Sequence, residues 1–187
     1  MAHATLAQLR AHLGIQAGIT TDDPSLSLAL ATAEEAVNQF CGRTFTVPAE
    51  DAADEERIYD GGRRRVLIDD FVTVTTVEQS YDRESWSERT DYWLEPANGD
   101  PKTTVASRLP FATWVRVTGV PGMTLLPPSV TQATLIKAAR LFKRKDSPTG
   151  TEGSGDFGIV RITRFEDPDV VLLLTPFVRA DVAMGIA

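Results

Sequence analysis

Apolar residues recur with helical spacing near both ends of the chain and with strand-like spacing in between. Leu6, Leu9 and Leu13 predict a first helix that stops at Gly14. Asp23 then reads as an N-cap and Pro24 as the first helical position. Leu26, Leu30, Ala33, Val37 and Phe40 follow at intervals of four, three, four and three, which makes one apolar stripe closed by Gly42. Glu34, Glu35 and Gln39 fall off the stripe.

From Thr44 to Gly119 the helical period is lost, and short β-branched runs alternate with turn signals. Arg57-Ile58-Tyr59, the turn Asp60-Gly61-Gly62 and the run Arg63 to Ile68 predict a hairpin. Val72, Val74 and Val77 mark a strand whose alternation breaks at Thr75-Thr76, the sign of a bulge. Asp91 to Glu95 and Trp114 to Thr118 are further strands, with turn chemistry from Pro96 to Pro101.

Helical spacing returns from Pro128 or Ser129 to about Lys145, with Leu135, Ala138, Ala139 and Phe142 on the apolar side. A Gly- and Ser-rich loop spans Asp146 to Gly158, Ile159 to Thr163 reads as a strand, and Asp167-Pro168 opens a short helix to about Thr175. The expected class is α+β: a small bundle of about four helices with a β-rich insertion between the second and third. The expected segments are 1–43, 44–119, 120–179 and a tail at 180–187.

Composition narrows the function. The chain has 187 residues, and its 19 basic and 26 acidic side chains leave a net charge of -7. That argues against a surface that binds nucleic acid throughout. One cysteine, Cys41, excludes an internal disulfide and a cysteine-based zinc site. The two histidines, His3 and His12, lie in the N-terminal segment, a poor place for precise geometry. The longest apolar run, Val170 to Leu174, is far short of the roughly 20 residues that span a bilayer. No export signal is read, so the expected setting is a reducing cytoplasm or a particle assembled there.

Motifs with catalytic meaning fare poorly. Gly153-Ser154-Gly155-Asp156-Phe157-Gly158 has dinucleotide-loop spacing but lacks the preceding strand and following helix, so it reads as a connector. Glu50, Asp51, Asp54, Glu55, Glu56 and Asp60 crowd around one base, Arg57, and read as solvated loop. Asp69-Asp70 and Asp167/Asp169 read as turn or cap residues, and Cys41 as a buried small apolar side chain. Lys137, Arg140 and Arg144 share a helical face that Lys143 and Lys145 extend. That face suits the helix dipole, a protein interface or phosphate. Arg63-Arg64-Arg65 is expected to pair with the acidic loop before it, within the chain or between neighbouring copies. Trp86, Trp93 and Trp114 are core or interface anchors, with core the default.

Three strings together resemble the head–tail connector (adaptor) proteins of long-tailed bacteriophages. AVNQFCGRTF is similar to the exit of that family's second helix, PPSVTQATLIKAARLFKRKDSP to its third helix, and GDFGIVRITRFEDPDVVLLLTPFVR to its closing segment. The resemblance covers about half the chain and implies a structural virion protein with no catalysis and no cofactor. Such proteins form a ring, typically of twelve copies, under the portal in the virion neck. The ring extends the DNA channel and seats the stopper or tail-terminator protein.

On that reading the protein is assembled in the host cytoplasm, DNA passes without specific binding, and no membrane is involved. Lys137, Arg140, Lys143, Arg144 and Lys145, with Asp181, Val182, Met184 and Ile186 of the tail, are the expected subunit or portal contacts. Glu50, Asp51, Asp54, Glu55 and Glu56 are the expected channel-facing acids. Another neck or tail-completion protein is the alternative. A small DNA-binding regulator using helix 129–145 is the alternative of another class.

Overall fold

A computed structural model describes residues 2–16, 18–144 and 167–179. The chain divides into two units, a helical one (Ala2–Gly42 with the chain from Pro127 on) and a β-rich one (Arg43–Leu126). The class is mixed α+β, with four α-helices and a six-stranded antiparallel sheet among the described residues. The strand expected at Ile159 to Thr163, the Gly153–Gly158 connector and Lys145 lie outside the described residues, as does the tail from Ala180.

In the helical unit, α1 spans Leu6–Leu13. Its start is a capping box that the apolar pattern did not reveal: the Gln8 amide donates to Thr5 Oγ1 (3.2 Å) and the Thr5 amide to Gln8 Oε1 (2.7 Å). Helix α2 spans Asp23–Cys41, with Asp22 at the N-cap position and no side-chain capping bond. Asp23 is therefore the first helical residue and not the expected cap. Its carboxylate is spent on Arg10, whose Nε donates to it at 2.9 Å. Leu26, Leu30, Ala33 and Val37 are buried as the stripe requires, but its last position is Cys41, with Phe40 only half-buried. Four residues beyond Val37 keeps the stripe facing inward better than three does. Gly42 ends the helix at a φ of 63°, in the left-handed region.

Helix α3 spans Pro128–Lys143 and buries Val130, Ala133, Leu135, Ala138 and Ala139. Helix α4, Pro168–Leu174, starts as expected: Asp167 caps it by accepting from the Asp169 amide (3.1 Å). A 3-10 turn follows at Thr175–Phe177. Leu9, Leu26, Leu30, Leu135, Ala33 and Ala138 form the core where α1, α2 and α3 meet. Each fully buried leucine contributes about 1.5–3 kcal/mol.

The arm before α1 is better fixed than its terminal position suggested. His3 is 4% exposed. Its amide donates to Glu34 (2.9 Å), its carbonyl accepts from Thr131 Oγ1 (2.9 Å), and Nδ1 lies 3.3 Å from Thr134 Oγ1.

The β-rich unit holds β1 (Glu55–Asp60), β2 (Arg65–Ser80), β3 (Ser87–Glu88), β4 (Tyr92–Glu95), β5 (Lys102–Ser107) and β6 (Trp114–Pro121). The strand order is β1-β6-β2-β5-β4, with β3 also on β2. The expected β1–β2 hairpin does not form. Strand β1 pairs along its whole length with β6, from Glu55 opposite Gly119 to Asp60 opposite Trp114. The second half of β2 takes the other side of β6.

Gly61 makes this crossing possible. Its amide donates to the Thr113 carbonyl (2.8 Å) and the Gly62 amide to Ala112 (2.7 Å). A Cβ on Gly61 would collide with the Ala112 carbonyl oxygen.

The two short strands expected between Arg63 and Val77 are one sixteen-residue strand. Its first part pairs with β5 and its second with β6, and its register shifts between Val74 and Thr76, where the bulge was expected. Asp69 and Asp70 lie inside this strand and not in a turn. Asp70 is buried with Arg43 3.5 Å away, while Asp69 accepts from Arg57 (2.9 Å) and Tyr59 (3.2 Å) of β1. Those bonds draw the edge strand back toward the first half of β2. Val66, Ile68, Phe71, Val77, Val105, Phe111, Val115 and Val117 fill the resulting core.

Candidate protein interface

The cationic stretch of α3 divides by what each side chain touches. Lys137 is half-buried. Arg140 Nη2 lies 2.6 Å from Oδ2 of Asp167, the capping residue of α4. Arg140 therefore ties two helices of one chain together, in addition to any role between chains. Lys143 and Arg144 are exposed at the last turn, where positive charge suits the carbonyl end of the dipole.

The acidic segment is less of a loop than expected. Glu50, Asp51 and Asp54 precede β1, but Glu55 and Glu56 lie in it. Glu55 pairs with Arg57 (3.0 Å), Glu56 stands 3.8 Å from Arg116, and Asp54 accepts from Thr75 Oγ1 (2.6 Å). Within the chain, the ion-paired member of the arginine triplet meets none of these acids. Arg65 pairs with Glu95 of β4, because β2 and β4 flank β5.

None of the three tryptophans is in the core, which corrects the default reading. Trp93 is 45% exposed, and Trp86 and Trp114 are half-buried under arginines. Arg83 lies 3.4 Å above the Trp114 ring and Arg116 4.5 Å above Trp86. Such stacks are worth about 0.5–2 kcal/mol. Arg83 reaches Trp114 from a turn at a φ of 66°. That turn is held by Asp82, whose carboxylate accepts the amides of Glu84 and Ser85, both at 2.9 Å. With the Ser80 hydroxyl, these bonds lower its pKa to about 2.

Sequence reading missed the stacks, although Trp114 and Arg116 sit two apart in one strand and so share a face. Trp and Arg are the side chains most enriched where interfaces concentrate their binding energy.

An apolar groove of about 330 Å³ lies between α2 and α3, lined by Ser25, Leu28, Ala29, Thr32, Leu141 and Phe142. Leu28 is 69% exposed within it. Among the described residues no group of three His, Cys, Asp or Glu side chains could hold a metal ion. No helix is long and apolar enough to cross a membrane among the same residues.

The chain matches no protein-family model and no curated protein. It is similar to a chain in the neck of a gene transfer agent particle. That structure, the neck of an empty particle computed with C6 symmetry, aligns with a TM-score of 0.55 at 16% identity, covering 92% of this chain and 87% of the other. A chain of the native gene transfer agent virion aligns with a TM-score of 0.51 at 16% identity, over the same shares. At this identity the likeness shows the fold, and both units contribute to it because so little of the chain is left out.

Proposed function

We propose that the protein is a structural component of the neck of a tailed phage or phage-like particle: a head–tail connector that closes into a ring of twelve copies beneath the portal. The single observation that carries the reading is the fold shared over 92% of the chain with a chain from a particle neck. In this reading the helices form the body and the β-rich segment is an insertion in it. The partners are sister copies, the portal protein and a stopper or tail-terminator protein.

The mechanism is assembly by surface complementarity, with no bond made or broken. Ring closure is heterologous, one face of each copy meeting a different face of the next. Lys137, Arg140, Lys143, Arg144 and Lys145 are proposed subunit or portal contacts, with Asp181, Val182, Met184 and Ile186 of the tail. Exposed Lys143 and Arg144 are the best placed of the described residues, since Arg140 already serves Asp167.

The net charge of -7 per copy supports a channel that DNA traverses without adhering, because an acidic wall repels phosphate. Glu50, Asp51, Asp54, Glu55 and Glu56 are the proposed channel-facing acids, and all five are exposed.

The test is genetic and visual. Particles assembled without this protein should accumulate as DNA-filled heads and separate tails. Normal joining in its absence would refute the role.

A further inference from the structure

We infer that the exposed arginines Arg63, Arg64 and Arg108, at one end of the β-rich unit, receive the acidic turn at Glu50 and Asp51 of a neighbouring copy. The inference rests on the ring reading above and names a contact by which one copy holds the next.

The arginines come from two chain segments that lie side by side. The Arg63 carbonyl accepts from the Phe111 amide (3.0 Å) and the Arg64 carbonyl from the Ser107 amide (2.8 Å). Gly61 and Gly62 extend the same pairing to Thr113 and Ala112. Neither segment, Gly61 to Arg65 or Ser107 to Thr113, contains an acid. Arg108 sits in a bend fixed by the Ser107 hydroxyl, which donates to the Leu109 carbonyl.

All three arginines are exposed, and Leu109 beside them is 63% exposed. Arg65, the last of the triplet, is spent on Glu95. Arg63, Arg64 and Arg108 form no ion pair among the described residues, not even with Asp60, the nearest acid in sequence. Three planar guanidinium groups thus stand together on a fixed backbone without a carboxylate from their own chain.

The acids that complement them stand at the other end of the same sheet. The Met123 amide donates to the Thr46 carbonyl (2.9 Å), and a Cβ on Gly122 would lie 2.9 Å from Pro48. The turn that carries Glu50 and Asp51, closed by the Ala52 amide on the Ala49 carbonyl (3.1 Å), therefore leaves from the Gly122 end of β6. The arginines gather beyond its Trp114 end. From Trp114 to Gly122 the strand rises about 26 Å, which these side chains cannot bridge. Asp54, Glu55 and Glu56 have partners in the chain, Thr75, Arg57 and Arg116. Glu50 and Asp51 have none among the described residues.

A ring of identical subunits needs two different surfaces on each copy that fit one another. Two unanswered sets of opposite charge at opposite ends of one sheet meet that need. The net charge of -7 disfavours a polyanion as the occupant. A turn at the inner edge of such a seam touches the neighbour and still borders the channel.

The test uses the full-length chain with the charges of one surface reversed at a time: Arg63→Glu with Arg64→Glu, and Glu50→Arg with Asp51→Arg. Each variant alone, in the condition where the wild type forms rings, should lose the ring on native mass and melt within a few degrees of the wild type. Mixing the two variants in equal amounts should restore the ring, because every seam of an alternating ring again joins opposite charges. Arg108→Glu, a single change outside the triplet, should weaken the ring in the same way. Wild-type rings should loosen between about 0.1 M and about 1 M salt, where the screening length falls from about 10 Å to about 3 Å.

Rings formed by either variant alone would overturn the inference. So would lost rings that neither the mixture nor all four changes in one chain restores. Wild-type binding to duplex DNA that Arg63→Glu with Arg64→Glu abolishes, with rings intact, would assign the arginines to phosphate instead. Absence of any wild-type ring, alone or with portal protein, would remove the neck reading itself and this inference with it.

Discussion

Arg140 of α3 and Asp167 at the start of α4 are joined by a 2.6 Å ion pair across 27 residues of sequence. Asp167 also caps α4, so one carboxylate both starts a helix and fastens it to another. Asp167→Ala should lower stability by about 0.5–2 kcal/mol, the usual range for a lost N-cap. Arg140→Glu should lower it as well, by setting a second carboxylate beside the first. Thermal unfolding measured for both variants checks this, and an unchanged melting temperature for Asp167→Ala would contradict it.

Lys143 and Arg144 present the opposite case. Both are exposed, and surface changes of this kind usually stay within about 0.5 kcal/mol. Lys143→Gln with Arg144→Gln, which removes the charges without reversing them at the carbonyl end of α3, should lower the melting temperature by only a few degrees while weakening assembly. Calorimetry and native mass on the same preparation separate the two effects.

His3 ties stability to pH. Burial of the imidazole lowers its pKa below the ordinary 6.5, the nearby Glu34 opposes the shift, and the positive N-terminus adds to it. Below pH 6.5 the unfolded chain therefore takes up a proton that the folded chain refuses. Stability should fall as pH drops through 6.5 toward the lowered folded value and level off beneath it. Above about pH 7.5 the imidazole is neutral in both states and contributes no slope. His3→Gln should remove this component from denaturation curves recorded between pH 7.5 and 5.

Gly61→Val tests the strand crossing. The added side chain has no room beside the Ala112 carbonyl, so the β1–β6 ladder must shift. A loss of about 1–3 kcal/mol is expected, as for other forced insertions into packed structure. Hydrogen exchange should show the β1 amides losing protection before those of α2.

The helices were legible because their signals are local. The stripe from Leu26 to Val37 and the Asp167-Pro168 start can be read within one element. Strand β5 was missed for a physical reason: Thr104, Val105, Ala106 and Ser107 are all buried, so both faces are covered and no alternation is left to read. The hairpin failed because Asp60-Gly61-Gly62 fits a tight turn equally well. Only the distant β6 reveals that the strands on either side of that turn belong on its two flanks.

The cationic face of α3 was visible in its spacing. Its division into Arg140, held by Asp167, and the outward Lys143 and Arg144 was not, since the partner lies 27 residues away. The arginine–tryptophan stacks were hidden similarly, because Arg83 and Trp114 meet only when β2 and β6 pair.

Native mass of the purified protein, alone and with portal protein, bears most directly on the neck reading. The account expects a closed ring in at least one condition, at twelve times the chain mass of 20.4 kDa. A chain that stays monomeric in both, at concentrations where portals are fully assembled, would contradict it.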